Sequence, residues 1–464
     1  MNRQSQLDSK TWKKFYKKNN YYHTDNSNLL MKLIPQDVSV LEIGCKGGEF
    51  LHKLKNKVKK GVVIQEKLFD STKKLLNKNE TELFDDFLKN KSKEKFDYIV
   101  LSHALSEVDD AQNLIKIIRD KTNDDSRIIV TYFNFLWKPV LDVAEQLGLR
   151  LPQTKEPNWW TEGDVDNLFY LEDFEKVKSG KRFLFPFNIP FISTFFNRYL
   201  AQLPVFNYFT LTNYTIYRPT PKIKEYSVSI IIPARNEAGN MKNVLSKIPN
   251  LGTETEVVFV EGHSKDNTFE SIEEEIKRYK GPIKTKLFKQ KGKGKGDAVR
   301  LGFSKASNEL LMILDADLTV DPKELPKFYK AIAVGKGELI MGSRLIYPME
   351  AQAMRLLNYL GNKFFSLAFS FLLSQRIKDT LCGTKVLLKS DYYKIEKNRY
   401  VFGDFDPFGD YDLIFGAANL NLKITEIPIR YKERTYGSTN ISRFRHGLLL
   451  FKMVFFAAKN LKFI

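Results

Sequence analysis

The stretch Leu311-Met-Ile-Leu-Asp-Ala-Asp-Leu-Thr-Val-Asp-Pro322 sets four apolar residues directly before Asp315-Ala316-Asp317. A short apolar run closed by turn residues is the pattern of a strand covered on both faces. Alternation along an extended chain puts Asp315 and Asp317 on one side. Two carboxylates there repel each other unless a cation lies between them. A hard divalent ion, Mg²⁺ or Mn²⁺, takes such oxygens together with those of a phosphate, so Asp315 and Asp317 are the candidate metal ligands. A cap on the following helix would use the same residue types. Two matching strand–loop units upstream favour the cation.

The first unit is Ser229-Ile-Ile-Ile-Pro-Ala-Arg-Asn-Glu237, a strand running into a polar loop. The second is Glu256-Val-Val-Phe-Val-Glu-Gly-His-Ser-Lys-Asp-Asn-Thr268, a strand ending in an acid, then a glycine turn and a helix start. Loops at the carboxyl ends of parallel strands are where doubly wound folds bind nucleotides. Pro233, Arg235, Glu237, Glu261 and Asp266 are therefore candidate contacts, although capping and turn chemistry account for the same residue types. Cations are needed beside a diphosphate. Lys293, Arg300 and Arg434 come first, then Arg443 and Arg445, because guanidinium forks match phosphate oxygens. The glycines of Lys289–Gly296 let backbone approach phosphate ahead of a helix.

Strands are expected at Val228–Ile232, Glu256–Val260, Leu310–Leu314 and Leu339–Met341, with helices between them. The first half repeats the alternation at Val38–Ile43, Gly61–Ile64, Phe96–Leu101 and Arg127–Tyr132. The fold class is α/β, two doubly wound domains in series. Residues 1–219 form one domain, with a core at about 35–180 and an aromatic-rich extension at 183–217; residues 227–464 form the other. Two prolines and three charges mark the boundary at residues 219–226, PTPKIKEY.

The second half resembles the family 2 glycosyltransferases, most closely the dolichol-phosphate mannose synthase branch. The resemblance rests on IIPARNE (231–237), VEGHSKDNT (260–268), GKGDAVRLGF (294–303), LDADLTVDP (314–322), MGSR (341–344), DTLCGTKVL (379–387) and RTYGSTNIS (434–442). It implies a GT-A fold, a nucleotide-diphosphate sugar donor, a divalent metal and inversion at the anomeric carbon. The acceptor it implies is a polyprenyl phosphate or a glycan. Inversion needs a general base unless the acceptor is already anionic. The aspartate-rich segment Phe402–Leu413 lies where the family carries its acceptor-side acidic motif, which implies Asp410 as base and Asp412 as second choice. Helix N-terminal charge is the other reading of those aspartates. Two departures stand out: Gly262 replaces a second acid after Glu261, and Thr319 stands where a metal-binding Gln often follows.

In the first half, Val40-Leu-Glu-Ile-Gly-Cys-Lys-Gly-Gly-Glu-Phe50 reads as strand, acid, glycine turn and helix start. Gly44 and Gly47 let backbone approach a nucleoside over Glu42. With Phe96–Asp109 it resembles class I S-adenosylmethionine-dependent methyltransferases. The resemblance implies that cofactor, with Glu42, Gly44 and Gly47 around it. The acid that ordinarily ends the second strand is replaced by Val63, leaving Glu66 as the substitute. Asp85 and Asp86 are candidates for adenine, and His103 reads as a core or rim histidine, with a catalytic role as the alternative.

The chain has 464 residues and a formal charge of +19, with the excess mostly in the second half. Such an excess attracts phosphates of any kind. No nucleic-acid fold signature accompanies it, so no nucleic-acid partner is expected. A basic nucleic-acid methyltransferase, or a scaffold with a degenerate methyltransferase half, are the competing classes. Two distant cysteines make neither a disulfide framework nor a metal cluster. The N-terminus has no apolar signal region, and no run of about 20 apolar residues occurs. The expected location is cytoplasmic and peripheral on the inner face of a membrane. Contact is expected through interfacial helices at 354–373 and 447–462, where burial in a core or dimer interface is the competing reading. The aromatics of 183–217 read as an acceptor lid, a lipid-facing patch or packing between domains, with packing as the default.

Overall fold

The computed structural model describes residues 8–77, 80–90, 92–151, 158–347, 356–399, 411–434, 436 and 443–463, except for the side chains of 356–359 and 443–446. The chain divides into two compact units, Met1–Thr220 with Phe463–Ile464, and Pro221–Lys462.

In the first unit the strands are β1 (Val40–Ile43), β2 (Lys59–Val63), β3 (Thr81–Leu83), β4 (Phe96–Ser102), β5 (Thr122–Phe133), β6 (Phe174–Arg182) and β7 (Thr212–Pro219). They form one sheet in the order β3-β2-β1-β4-β5-β7-β6. The first five are parallel, while β7 runs antiparallel to both β5 and β6. Both faces are covered. Leu41, Ile43, Ile99 and Leu101 lie in one core cluster and Val40, Val63, Tyr98 and Val100 in another. This two-sided burial is why the strands read as continuous apolar runs.

The second unit holds β8 (Val228–Ala234), β9 (Thr255–Glu261), β10 (Lys284–Lys289), β11 (Leu310–Ile313), β12 (Leu339–Ser343), β13 (Lys385–Leu388) and β14 (Ile424–Pro428). Their order is β10-β9-β8-β11-β13-β12-β14. β10, β9, β8 and β11 are parallel; β13 is antiparallel to both β11 and β12. Ile231, Val258 and Leu311 face one layer, and Ile230, Val257 and Met312 the other. The edge strand β10 carries Lys284, Lys286 and Lys289, charges that discourage pairing with another chain.

The expected α/β class and doubly wound sheets are present. The antiparallel strands were not read from the sequence. β6, FEKVKSGKR, is half polar, and β13 is only four residues long, so neither carries the apolar run of a central strand. In each sheet the order reverses beside the first strand, between β1 and β4 and between β8 and β11. The crevice at such a switch point is the ligand site of an open α/β sheet.

Candidate functional site

Asp315 and Asp317 lie at the β8–β11 switch point, on a turn rather than a strand. β11 stops at Ile313, and Leu318 adopts a left-handed φ of 51°. Strand alternation therefore does not set the pair's direction; the turn and its partners do. Thr319 donates from its backbone N at 3.1 Å and its hydroxyl at 2.8 Å to Oδ1 of Asp317. The other oxygen, Oδ2, receives Arg434 Nη2 at 2.6 Å. The same guanidinium gives Nη1 to Glu237 Oε1 at 2.8 Å. One arginine thus links the loop after β8 to the loop after β11.

Glu237 is buried and also accepts from Asn240 Nδ2 at 2.6 Å. Burial raises its pKa above the usual carboxylate value, against the pull of Arg434. Asp315 meets a different cation, Lys295 Nζ, at 2.6 Å. Lys295 is the first residue of the helix Lys295–Lys305, whose preceding Gly294 has φ 87°. Gly383 lies against this ion pair: a Cβ there would overlap the Asp315 carboxylate and the Lys295 ammonium.

The neighbouring loops are tied together by hydrogen bonds. Glu261, at the end of β9, is buried and accepts from Ser264 N at 2.5 Å. Asp266 caps Thr268 N at 3.2 Å and receives Ala238 N and the Tyr436 hydroxyl, both at 3.4 Å. Pro233 lies within β8, opposite Val260. Gly262 backs onto Gln290, whose side-chain oxygen a Cβ would meet at 2.8 Å, so a second acid there would require that side chain to shift. Arg235 and Lys293 are exposed, and no polar partner of theirs is among the described contacts. Lys295, not Lys293, is the lysine at the carboxylates. Arg300 has a buried Nη1 with no hydrogen-bond partner among the described residues. Asp412 lies 3.4 Å from Arg399 Nε. Asp410 and the side chains of Arg443 and Arg445 lie outside the described residues.

A second ion pair braces the site. Arg344 Nε and Nη2 grip Asp379 at 2.7 and 2.8 Å, and Asn362 donates to the same carboxylate at 3.0 Å. The guanidinium holds Asp379 down to about 2 despite full burial. Both residues stand in motifs quoted from the sequence, but 35 positions apart, so no local spacing announced the pair. Asp379 opens the turn that leads to Gly383.

The crevice of the first unit is built differently. Glu42 ends β1 and is 4% exposed. Its Oε1 accepts from Ser102 Oγ at 2.6 Å, while Oε2 is buried without a partner among the described residues. Burial raises its pKa to about 7. Gly44 and Gly48 take left-handed φ values of 87° and 80° in the turn that follows. A Cβ at Gly47 would overlap Trp12 and Glu49, whose side chains hydrogen-bond at 2.9 Å. Lys46 reaches Glu107 at 2.6 Å, and Gln65 donates to the same carboxylate at 2.6 Å. Val63 is buried and offers no oxygen. Glu66, on a short 3-10 turn, and Asp85 and Asp86, in the first turn of the helix Phe84–Lys89, are exposed. Glu107, which the sequence did not single out, is the carboxylate bridged to the end of β2. His103 stacks on Phe133 at 4.2 Å between ring centroids and meets the Tyr22 hydroxyl at 2.8 Å. Burial and nearby cations lower its pKa well below the usual imidazole value.

Residues 229–395 match the family model described as glycosyl transferase family 2, and residues 16–179 match one described as methyltransferase domain. The chain is 30% identical over 218 residues to a dolichol-phosphate mannosyltransferase of Pyrococcus furiosus, covering 46% of this chain and 59% of that relative. It is 27% identical over 281 residues to a dolichyl-phosphate beta-glucosyltransferase of Trichomonas vaginalis, covering 53% of this chain and 81% of that one. A solved SAM-dependent methyltransferase of Thermotoga maritima is similar with a TM-score of 0.34 and 16% identity, over 46% of this chain and 94% of that one. Residues 229–395 are thus a family 2 glycosyl transferase domain, and residues 16–179 a methyltransferase domain, carried on one chain.

Proposed function

We propose that this protein moves a hexose, with inversion, from a nucleotide-diphosphate sugar to a polyprenyl phosphate or glycan acceptor. One observation carries the proposal: at the β8–β11 switch point both aspartates of the pair are held by cations of the chain, Lys295 and Arg434. A crevice with that charge pattern suits a diphosphate and a divalent ion together. The names of the Pyrococcus and Trichomonas relatives, which act on dolichol phosphate, support the acceptor class.

Asp315 and Asp317 fit Mg²⁺ or Mn²⁺, being hard oxygen donors with room left for phosphate oxygens. Such an ion supplies positive charge to the departing nucleoside diphosphate. Arg434 and Lys295 then turn from the carboxylates to the diphosphate oxygens, and Glu237 keeps the guanidinium in the crevice. Glu261 and Asp266 order the loops that meet the base and ribose. An anionic lipid phosphate needs no general base, and Asp410 and Asp412 serve a hydroxyl acceptor.

The site works from a membrane surface in this reading, on the cytoplasmic face. Leu360, Phe364 and Leu367 are exposed at helical spacing on Leu356–Leu373. Leu448, Phe451 and Phe455 are exposed likewise on Arg443–Ala457. Apolar stripes of this kind lie in the headgroup region. Among the described residues no helix is long and apolar enough to cross a membrane.

The first unit binds S-adenosylmethionine in the same proposal, which supplies a methyl group. Its glycine turn forms a cradle that Cβ atoms would fill, and the unpartnered Glu42 oxygen awaits a donor. Lys46 and Gln65 hold Glu107 beside that cradle.

The test is a panel of nucleotide sugars with Mn²⁺, scored for nucleoside diphosphate release. Asp317→Ala is expected to lose at least ~100-fold, as when one electrostatic stabiliser of a transition state is removed. Equal turnover by both proteins would defeat the assignment. Calorimetric titration with S-adenosylhomocysteine tests the first unit by binding alone.

A further inference from the structure

Residues 183–211, between β6 and β7, bury polar side chains while exposing large apolar ones. Ser193, Asn197 and Thr210 are the buried polar residues, whereas Asn188 and Thr194 are exposed. Ser193 is 2% exposed and Asn197 is 1% exposed. The Ser193 hydroxyl donates to the Phe187 and Ile189 carbonyls and accepts from Ile189 N at 2.6 Å. Asn197 accepts from the backbone of Leu184 and Phe185 at 2.7 and 2.8 Å and donates to the Tyr21 hydroxyl and the Phe185 carbonyl. Many of the large apolar side chains face outward: Phe187 and Val205 are each 64% exposed, Tyr208 60% and Phe191 89%, while Phe183 and Leu211 at the two roots are buried. The aromatics expected to pack are thus largely unpacked.

Two outward residues also hold unfavourable backbone. Phe191 has φ 63° and Val205 φ 73°, a region that bulky and β-branched residues avoid. Glycine or asparagine is the usual occupant of such a tip in water. The stretch contains no acid, and Arg198 is its only charge. Lys181, at its root, lies 4.4 Å from the Tyr208 ring centroid.

Polar side chains bonded back to the segment's own backbone, as at Ser193 and Asn197, with large apolar groups outward, are what an apolar surrounding selects. We infer that residues 183–211 dip into the headgroup and upper acyl region of an anionic lipid bilayer. A lipid surface suits what the segment carries: bulky apolar residues exposed on strained backbone, and no acid to oppose anionic headgroups. Register adds an orientation. Thr212 pairs with both Phe133 and Arg182. The segment therefore rises from the carboxyl end of β5, which is parallel to β4 and β1. That is the end of the sheet carrying the Gly44–Gly48 turn, so insertion turns the crevice of this unit toward the membrane surface. The inference requires no activity of either unit.

The test labels full-length protein with an environment-sensitive dye at Phe191→Cys. Cys45 and Cys382 are buried, which keeps labelling selective. Asp124→Cys, at the far end of β5, is the control, and thermal melts check that both variants fold. With phosphatidylcholine–phosphatidylglycerol vesicles, the dye at 191 is expected to shift blue and to be quenched about twofold by brominated acyl chains. The dye at 124 is expected not to respond. Three results would overturn the inference: no response at 191, equal response at both sites, or a shift that follows protein concentration without lipid. The last would assign the surface to a second copy.

Discussion

At the switch point of the second unit, three acids meet two cations. Asp315 faces Lys295, while Asp317 and Glu237 share Arg434. At the switch point of the first unit, Glu42 meets a serine hydroxyl and leaves one oxygen unpartnered among the described residues. The sheets follow the same winding rule, so topology does not explain the difference. Charge does. Carboxylates held by movable side-chain cations can pass to a metal ion while those cations turn to phosphate, which suits a strongly charged ligand. A carboxyl whose ionisation burial disfavours, beneath a glycine turn, suits a nucleoside that brings hydrogen-bond donors and little net charge.

The largest effect expected from breaking this comparison is in catalysis. Asp317→Ala should cost at least ~100-fold in nucleoside diphosphate release, whereas Glu42→Gln should leave that release unchanged. Steady-state rates of both variants at saturating Mn²⁺ check it. A comparable loss in Glu42→Gln would show that the two sites do not act separately.

Next comes the brace of the second unit. Arg344→Ala leaves Asp379 buried without its guanidinium, a change that costs about 3–5 kcal/mol. For a unit of this size the melting temperature should fall by about 10 °C. Adding Asp379→Leu should restore part of the loss, because the stranded charge goes with it. Calorimetry that resolves separate unit transitions would read the effect, and an unmoved second-unit transition would contradict the brace.

The counterpart in the first unit has the opposite sign. Glu42 has an ordinary value of 4.5 and about 7 in the fold, so the folded state holds its proton more tightly. Its burial therefore weakens the fold as pH rises from about 4.5 to about 7, and the penalty is constant above that. Glu42→Gln removes an ionisation penalty of up to about 3 kcal/mol. Without cofactor, the variant should melt higher than the wild type at pH 8 and equally at pH 4. A difference independent of pH would mean that packing, not charge, distinguishes them.

What the sequence disclosed follows from range. The central strands were legible because two-sided burial writes a continuous apolar run, as in Val228–Ala234 and Thr255–Glu261. The strand-end acids were legible because a turn keeps them beside those runs. The partners were not. Arg434 lies 117 positions from Asp317, and only the fold brings them together. The choice of Lys293 over Lys295 shows the limit of a local motif: both flank Gly294, and the turn at that glycine, which starts the helix at Lys295, decides which one faces Asp315. Glu107 was passed over because its bridge to Gln65 spans 42 positions. The outward aromatics of 183–211 were visible as composition, but only the burial of Ser193 and Asn197 shows which way the segment faces.

The smallest effect expected concerns Thr319, two residues beyond Asp317. Here the Thr319 hydroxyl donates to Asp317 Oδ1 at 2.8 Å, beside its own backbone N–H at 3.1 Å. It therefore orients the carboxylate rather than replacing a ligand. Thr319→Val keeps the shape and the backbone bond and removes one hydroxyl, a loss of about 1 kcal/mol. Activity at limiting Mn²⁺ should fall about fivefold and recover at saturating Mn²⁺, because Asp317 is still present and only its aim is loosened. A loss as deep as that of Asp317→Ala, without recovery, would instead make the hydroxyl a metal ligand. The charge pattern at this switch point would then need a third oxygen donor from the chain.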